Sequence, residues 1–271
     1  MALTPSTPAT RLSREKMLEA IKERRDFVLS NFRILRKVDP NDHYWKSFEN
    51  IGEYVREGEI FETGMVQSWI GSNYSPKTIL EIGTRTGGSL ISLLTAYNSY
   101  TGLEIVSFDL WREYFSVTWL SRMITRLKGS ADGRSNINIS RKYMQYFDFL
   151  IRYLSTGKVK RNLRYFNIPT NNIQFVSGDS RITVPEYFRQ NPNKKFDYIL
   201  VDGAHDEETA LIDLRNVANY VATGGFLLFD DIGPEGYKLG KVWEQFRFEQ
   251  KDNFDFYEVY HRKGVAWAIK K

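Results

Sequence analysis

Short apolar runs, each closed by glycine or an acid, punctuate the chain from residue 79 onward and organise its reading. Ile79 to Tyr97 reads as a buried strand ending at Glu81, a glycine loop (Gly83, Gly87, Gly88) and an apolar helix opened by Ser89. Ile105–Phe108 is a second strand, closed by Asp109, and Ile173–Val176 a third, closing on Gly178-Asp179-Ser180. A fourth, Phe196–Val201, closes on Asp202-Gly203-Ala204-His205, and the helix Glu207–Tyr220 follows it. After Gly224-Gly225 comes a fifth strand, Phe226–Phe229, closed by Asp230-Asp231. Continuous apolar runs alternating with helices indicate a parallel sheet covered on both faces. Phe256–Tyr260 and Val265–Ile269 flank the turn His261-Arg262-Lys263-Gly264 and read as an antiparallel hairpin added to the sheet.

The expected fold is therefore α/β: a Rossmann-like, doubly wound, mostly parallel seven-stranded sheet with a C-terminal antiparallel hairpin. Ahead of it, Met17, Leu18, Ile21, Val28 and Leu29 recur near the helical period between Ser13 and about Lys37, and Pro40 ends the pattern. Another helix is expected over Glu62–Trp69. The organisation predicted is a disordered tail over 1–12, a helical extension over 13–57, and a main domain over 58–271. Within that domain the segment 111–170 is far longer than an ordinary βα crossover and reads as a helical insertion, or cap. Two helices are expected in it, about Trp111–Leu127 and Ser140–Leu154, followed by the basic tract Lys158, Lys160, Arg161 and Arg164.

Charge sharpens this picture. The insertion carries twelve Lys or Arg against Glu113, Asp132 and Asp148, a net +9 in a chain of net +5, so the remainder is net −4. Eleven aromatics are interleaved with those charges. The segment reads as packing onto the domain, as a lid over a site, or as a partner surface; basic plus aromatic character also suits nucleic acid. A chain of 271 residues, 42% hydrophobic, fits one large domain with embellishments. No apolar run approaches the ~20 residues of a membrane span, and MALTPSTPAT lacks the charged start and apolar centre of a signal peptide. With no cysteine, disulfides, thiolate metal sites and a cysteine nucleophile are excluded. Cytoplasmic residence is the expectation.

In open parallel sheets, ligands bind outside the carboxyl ends of the strands, and the acids closing these strands all lie at that edge. The glycine loop lets the backbone turn tightly and approach a ligand, and the helix behind it presents unpaired N–H groups. With Glu81 beside it, an anion site adjoins a cation site, a pairing that suits an amino-acid moiety. The four-residue spacing of Gly83 and Gly87, with Arg85 between, is not that of a dinucleotide fingerprint.

Glu81-Ile-Gly-Thr-Arg-Thr-Gly-Gly-Ser89 resembles the E-x-G-x-x-x-G-x-S loop of class I S-adenosylmethionine-dependent methyltransferases. The resemblance is to the catechol-type O-methyltransferases and the macrocin and cephamycin-biosynthesis relatives. Val201-Asp-Gly-Ala-His205, with Gly224-Gly225-Phe-Leu-Leu-Phe-Asp230-Asp231, is similar to the second hallmark of that last group. The match covers roughly 60–110 and 171–271. It implies that the loop, with Glu81, Gly83, Thr84, Gly87 and Ser89, holds the methionine moiety of S-adenosylmethionine. It further implies Asp109 on the ribose hydroxyls, Asp179 and Ser180 at the adenine edge, and Asp202 beside the cofactor. In the metal-dependent relatives, one acid after the fourth strand and a pair after the fifth bind Mg²⁺; the matching positions are Asp202, Asp230 and Asp231. His205 stands where those enzymes place the base that takes the acceptor's proton. Arg85 departs from the pattern, and its side chain is expected to point away from the cofactor.

The implied activity is transfer of a methyl group to a hydroxyl of a small molecule (a natural product, sugar or catechol-like acceptor), with Mg²⁺ assisting. An anionic or aromatic acceptor and a homo-oligomer both stay open, and no membrane partner is expected. The rivals are a nucleic-acid methyltransferase using the basic insertion, a NAD-dependent oxidoreductase, and a non-catalytic module that keeps the fold to bind a partner. Against the first, no Asp/Asn-Pro-Pro-aromatic tetrapeptide occurs in the chain. The glycine spacing disfavours the second, and the intact set of strand-end acids the third.

Overall fold

The computed structural model describes residues 13–38, 63–110, 153 and 155–271. The expected tail over 1–12, the extension beyond residue 38, and the two insertion helices up to residue 152 lie outside the described residues.

Two helices, α1 (Arg14–Lys22) and α2 (Arg25–Val38), stand where the sequence predicts one. Ser13 caps α1 through its hydroxyl. A turn at Glu23 and Arg24 separates the two, and the Arg24 guanidinium donates to Ser68 of the next helix, α3 (Thr63–Tyr74). The chain then enters β1 (Thr78–Ile82), α4 (Gly88–Leu94) and β2 (Glu104–Asp109). A helix over 155–165, α5, is followed by β3 (Ile173–Ser177) and α6 (Ser180–Gln190). Next come β4 (Phe196–Val201), α7 (Glu207–Ala218) and β5 (Val221–Asp230). The chain closes with α8 (Gly240–Gln250), β6 (Phe254–Val259) and β7 (Val265–Lys270).

The seven strands form one sheet in the order β3-β2-β1-β4-β5-β7-β6. The first five are parallel, and β7 pairs antiparallel with both β5 and β6. This is the doubly wound sheet with a terminal hairpin that the apolar pattern predicts. Because side chains alternate across a strand, each strand feeds two cores. Ile79, Ile105, Tyr198, Leu200 and Trp267 face the core built with α1 to α5. Leu80, Val106, Phe108, Ile199 and Leu227 face the core built with α6, α7 and α8. Burial on both sides is why the strands read as unbroken apolar runs rather than alternating ones.

The end of the insertion belongs to this frame. Val159 and Leu163 of α5 are fully buried against the α4 side. The Asn162 amide donates to the Thr86 carbonyl at 3.2 Å. The basic tract is therefore one face of a helix whose other face packs beside the glycine loop.

Candidate active site

The site is built at the carboxyl edge of β1, β2, β4 and β5, where the sheet order reverses from β1 to β4. Glu81 sits on β1 on the α4 side and is 1% exposed. Its Oε1 accepts from the Ser89 hydroxyl, and its Oε2 has no hydrogen-bond partner. Burial pushes this carboxyl up to about 7, against the pull of the Ser89 and Thr84 hydroxyls, with Asp109 adding to the rise. A buried carboxylate with one unpartnered oxygen can still accept a further hydrogen bond there.

The loop between β1 and α4 is pinned at several points. Gly83 N–H donates to the Phe108 carbonyl at 2.8 Å, and the Thr84 hydroxyl shares a hydrogen bond with Ser107 at 2.5 Å. Asp109 Oδ2 accepts from the Arg85 N–H at 2.8 Å. Gly83 has φ +91°, and a Cβ there would stand 1.9 Å from the Asp202 carbonyl oxygen. Only glycine lets the end of β1 lie this close to the turn after β4. Gly87 is the N-cap of α4, against Val159 of α5.

Across that contact lie the acids. Asp202, His205 and Asp231 each offer a ligand atom within 4.8 Å of the others. His205 Nδ1 is 3.5 Å from Asp231 Oδ2. Asp231 is buried, with Lys263 Nζ 3.9 Å from its Oδ1. Asp230 is the neighbour of this group: its Oδ1 accepts the Thr63 hydroxyl of α3 at 2.5 Å. Of the four residues expected to converge, three gather and Asp230 turns one oxygen to Thr63.

Burial raises all three carboxyls above their ordinary range. For Asp202, Asp230 and Asp231 add to the rise, while Arg85 opposes it. Asp230 is pushed up to about 6 by burial and then by Asp231. Asp231 is raised by burial and eased by Lys263 and Arg85. The sequence pattern turns Arg85 away from the cofactor; in the fold its positive charge acts on Asp202 and Asp231. Like charges buried together must either hold protons or be balanced by cations.

At the β3 edge, Asp179 is the N-cap of α6 and accepts from Arg181 N–H at 3.0 Å, with the Arg181 guanidinium paired to the same carboxylate. Ser180 donates to Asp213 Oδ2 at 2.9 Å. Both side chains expected at the adenine edge thus hold the start of α6. Sequence reasoning passes over Thr63, Ser107, Tyr237 and Lys263. Only Lys263 carries a local signal, its place in the hairpin turn.

A parallel sheet with a glycine loop after β1, an acid ending β2 and acids after β4 and β5 defines the class I S-adenosylmethionine-dependent methyltransferase fold. The family model described as Methyltransferase domain matches residues 80–232, and the chain belongs to that family. No curated protein matches the chain. Among solved structures, it is similar to the S-adenosylhomocysteine-bound methyltransferase PaMTH1 of Podospora anserina. The two are 13% identical over 98% of this chain and 100% of the other, with a TM-score of 0.52. It is likewise similar to an O-methyltransferase of Bacillus cereus in complex with S-adenosylhomocysteine. That pair is 14% identical over 89% of this chain and 91% of the other, with a TM-score of 0.53. Among the described residues, no helix is long and apolar enough to cross a membrane.

Proposed function

We propose that this chain transfers the methyl group of S-adenosylmethionine to a hydroxyl of a small-molecule acceptor. The observation that carries this reading is the gathering of Asp202, His205 and Asp231 within 4.8 Å, across a backbone contact from the glycine loop. Support for the cofactor comes from the two structural neighbours, each solved with the demethylated product.

In this reading the loop Gly83–Ser89 takes the methionine moiety, with Thr84, Gly87 and Ser89 shaping it. The unpartnered Glu81 Oε2 takes an N–H of that moiety. Asp109 takes the ribose hydroxyls, for which a carboxylate offers several acceptor sites. Asp179 and Ser180 contribute at the adenine edge through their backbone, since their side chains hold Arg181 and Asp213.

The residues present also fit a divalent cation: three mutually repelling carboxyls, Asp231 buried and Asp202 and Asp230 half-buried, with Asp231 Oδ1 lacking a hydrogen-bond partner. Asp202 and Asp231 would hold it, with Asp230 adding the oxygen not given to Thr63. When bound, Mg²⁺ lowers the pKa of an acceptor hydroxyl; oxygen ligands suit it. The chain's own residues do the rest. His205 accepts the hydroxyl proton, directly or through one water. The acceptor oxygen forms its bond to the methyl carbon as the carbon–sulfur bond breaks, and the sulfonium leaves as a neutral thioether. Alignment is the protein's main contribution, because the cofactor carries the leaving group.

Calorimetric titration tests the reading. S-adenosylhomocysteine should bind saturably and NAD should not; saturable NAD with no response to S-adenosylhomocysteine would refute it.

A further inference from the structure

His205 is held from two directions. Its Nδ1 lies 3.5 Å from Asp231 Oδ2. Its ring face is covered by Tyr237, with centroids 3.6 Å apart and planes within 5°. Tyr237 is nevertheless 55% exposed. A large aromatic ring that leaves more than half its surface in water contributes little to a core. Among the described residues, the ring contact it makes is the flat one to the imidazole.

The loop that carries Tyr237 is braced to deliver it. Residues 231–239 are closed by the Leu239 N–H donating to the Asp231 carbonyl at 3.0 Å. The β6–β7 turn supports them: Gly233 N–H donates to the Lys263 carbonyl, and Glu235 N–H to the Arg262 carbonyl at 2.9 Å. Gly236 lies against the Asp231 carboxylate, where a Cβ would meet Oδ1 at 2.8 Å. The absence of a side chain at 236 brings the next residue over the ring that Asp231 also addresses. Leu239 is buried at the start of α8, which anchors the far end of the loop.

We propose that Tyr237 is a positioning residue for His205. Its ring fixes the plane of the imidazole while Asp231 fixes the rotation within that plane, so Nε2 is presented to the acceptor in one orientation. The proposal rests on the O-methyltransferase reading given above. A neighbouring carboxylate or carbonyl at one ring nitrogen commonly sets the tautomer that leaves the other as acceptor. The stack adds the constraint that a single contact at 3.5 Å leaves open, rotation out of the ring plane. The contact needs the aromatic face and not the phenol hydroxyl.

The test separates ring from hydroxyl and position from fold. The imidazole signals of His205 are assigned in labelled full-length protein by their loss in His205→Asn; the chain has only three histidines. In wild type and Tyr237→Phe these signals should share an upfield shift from the stacked ring. In Tyr237→Ala they should move to ordinary exposed positions, with His261 unmoved. With S-adenosylmethionine and 3,4-dihydroxybenzoate as acceptor probe, kcat of Tyr237→Ala should fall roughly 10–100-fold, a part of what a general base supplies. The KM for S-adenosylmethionine should hold, and Tyr237→Phe should restore kcat to within about twofold. Unchanged His205 signals in Tyr237→Ala, or failure of Tyr237→Phe to restore them, overturns the proposal whether or not the probe is methylated. Failure to bind S-adenosylhomocysteine refutes the functional reading instead, and the His205 signals still decide the role of Tyr237.

Discussion

The contact between Gly83 and the Asp202 backbone joins the glycine loop to the acid cluster, and substitution to alanine measures its tightness. Two costs separate cleanly. At φ +91° an L side chain is strained, a cost of roughly 1–3 kcal/mol at such a backbone position. In addition, the new Cβ would lie 1.9 Å from the Asp202 carbonyl oxygen, 2.5 Å from its carbon and 2.7 Å from Gly203 Cα. All three are backbone atoms, so no side-chain rotation relieves the overlap, and the end of β4 must move. Forced overpacking of this kind costs about 1–3 kcal/mol more.

Gly102 supplies the control. Its φ is +75°, yet a Cβ there meets nothing within 4 Å. Gly102→Ala should thus show the conformational cost alone, and Gly83→Ala that cost plus the overlap. Thermal unfolding of the two variants should differ by about 1–3 kcal/mol, or ~2–12 °C in Tm for a chain of this size. Gly83→Ala should also weaken S-adenosylhomocysteine binding, whereas Gly102→Ala should leave it unchanged. Equal Tm values for the two variants would refute the reasoning, because the close approach would then carry no energy.

Three further outcomes follow from the same geometry. Asp109→Ala removes the acceptor of the Arg85 N–H and, in the proposed reading, that of the ribose, so calorimetry should find cofactor affinity weakened by ~1–3 kcal/mol; unchanged affinity would remove Asp109 from the site. A chelator should abolish turnover while leaving S-adenosylhomocysteine affinity intact, and turnover that survives chelation would end the metal assignment. Burial raises the Asp213 carboxyl from 3.8 to about 7, so the folded chain keeps a proton that the unfolded chain gives up. Stability therefore falls from about pH 4 to pH 7 by at most ~4 kcal/mol on this account and is level above. Asp213→Asn should flatten that fall in urea unfolding series, and parallel pH profiles for variant and wild type would contradict the assignment.

Much of the frame is legible in the sequence because burial on both faces writes a strand as an unbroken apolar run. Phe196–Val201 shows this most plainly, its ends matching the expectation. What escapes is local sequence that argues against the element it forms. Helix α6 contains Pro185, which removes an interior N–H bond and reads as a breaker. Gly224-Gly225 reads as a turn ahead of β5, yet the strand runs through both from Val221, with Gly224 at φ +77°. The strand-end acids are legible for a similar reason, since topology alone places them on one edge. Their partners are not. Thr63 meets Asp230 across 167 positions, and neither residue's neighbours in sequence announce the other. Tyr237 looks like one more loop aromatic until the fold lays it on His205.

The same edge concentrates what the rest of the chain avoids. Six described residues other than glycine have positive φ, and four of them, Arg85, Asp231, Lys238 and Arg262, lie in the loops around the acids. Each such conformation costs roughly 1–3 kcal/mol, and the buried carboxyls add the cost of desolvating like charges side by side. Of the four, Arg262 lies in the β6–β7 turn, where hairpins commonly use positive φ. Ser75 and Asn167, the other two, sit at element ends away from the site, where left-handed residues commonly end helices. Local conflict collected at one edge of an otherwise consistent fold is the pattern expected of a site selected for chemistry rather than stability. Arg85 and Lys263 explain how the chain tolerates it. Each brings a positive charge onto Asp231, and Arg85 onto Asp202 as well. Two partly exposed cations offset the acids only in part, since all three carboxyls remain raised. The remaining imbalance is what a divalent ion would remove. In the proposed reading, the glycine loop, through Arg85, and the hairpin turn, through Lys263, ease the repulsion among the acids, and a divalent ion would ease the rest.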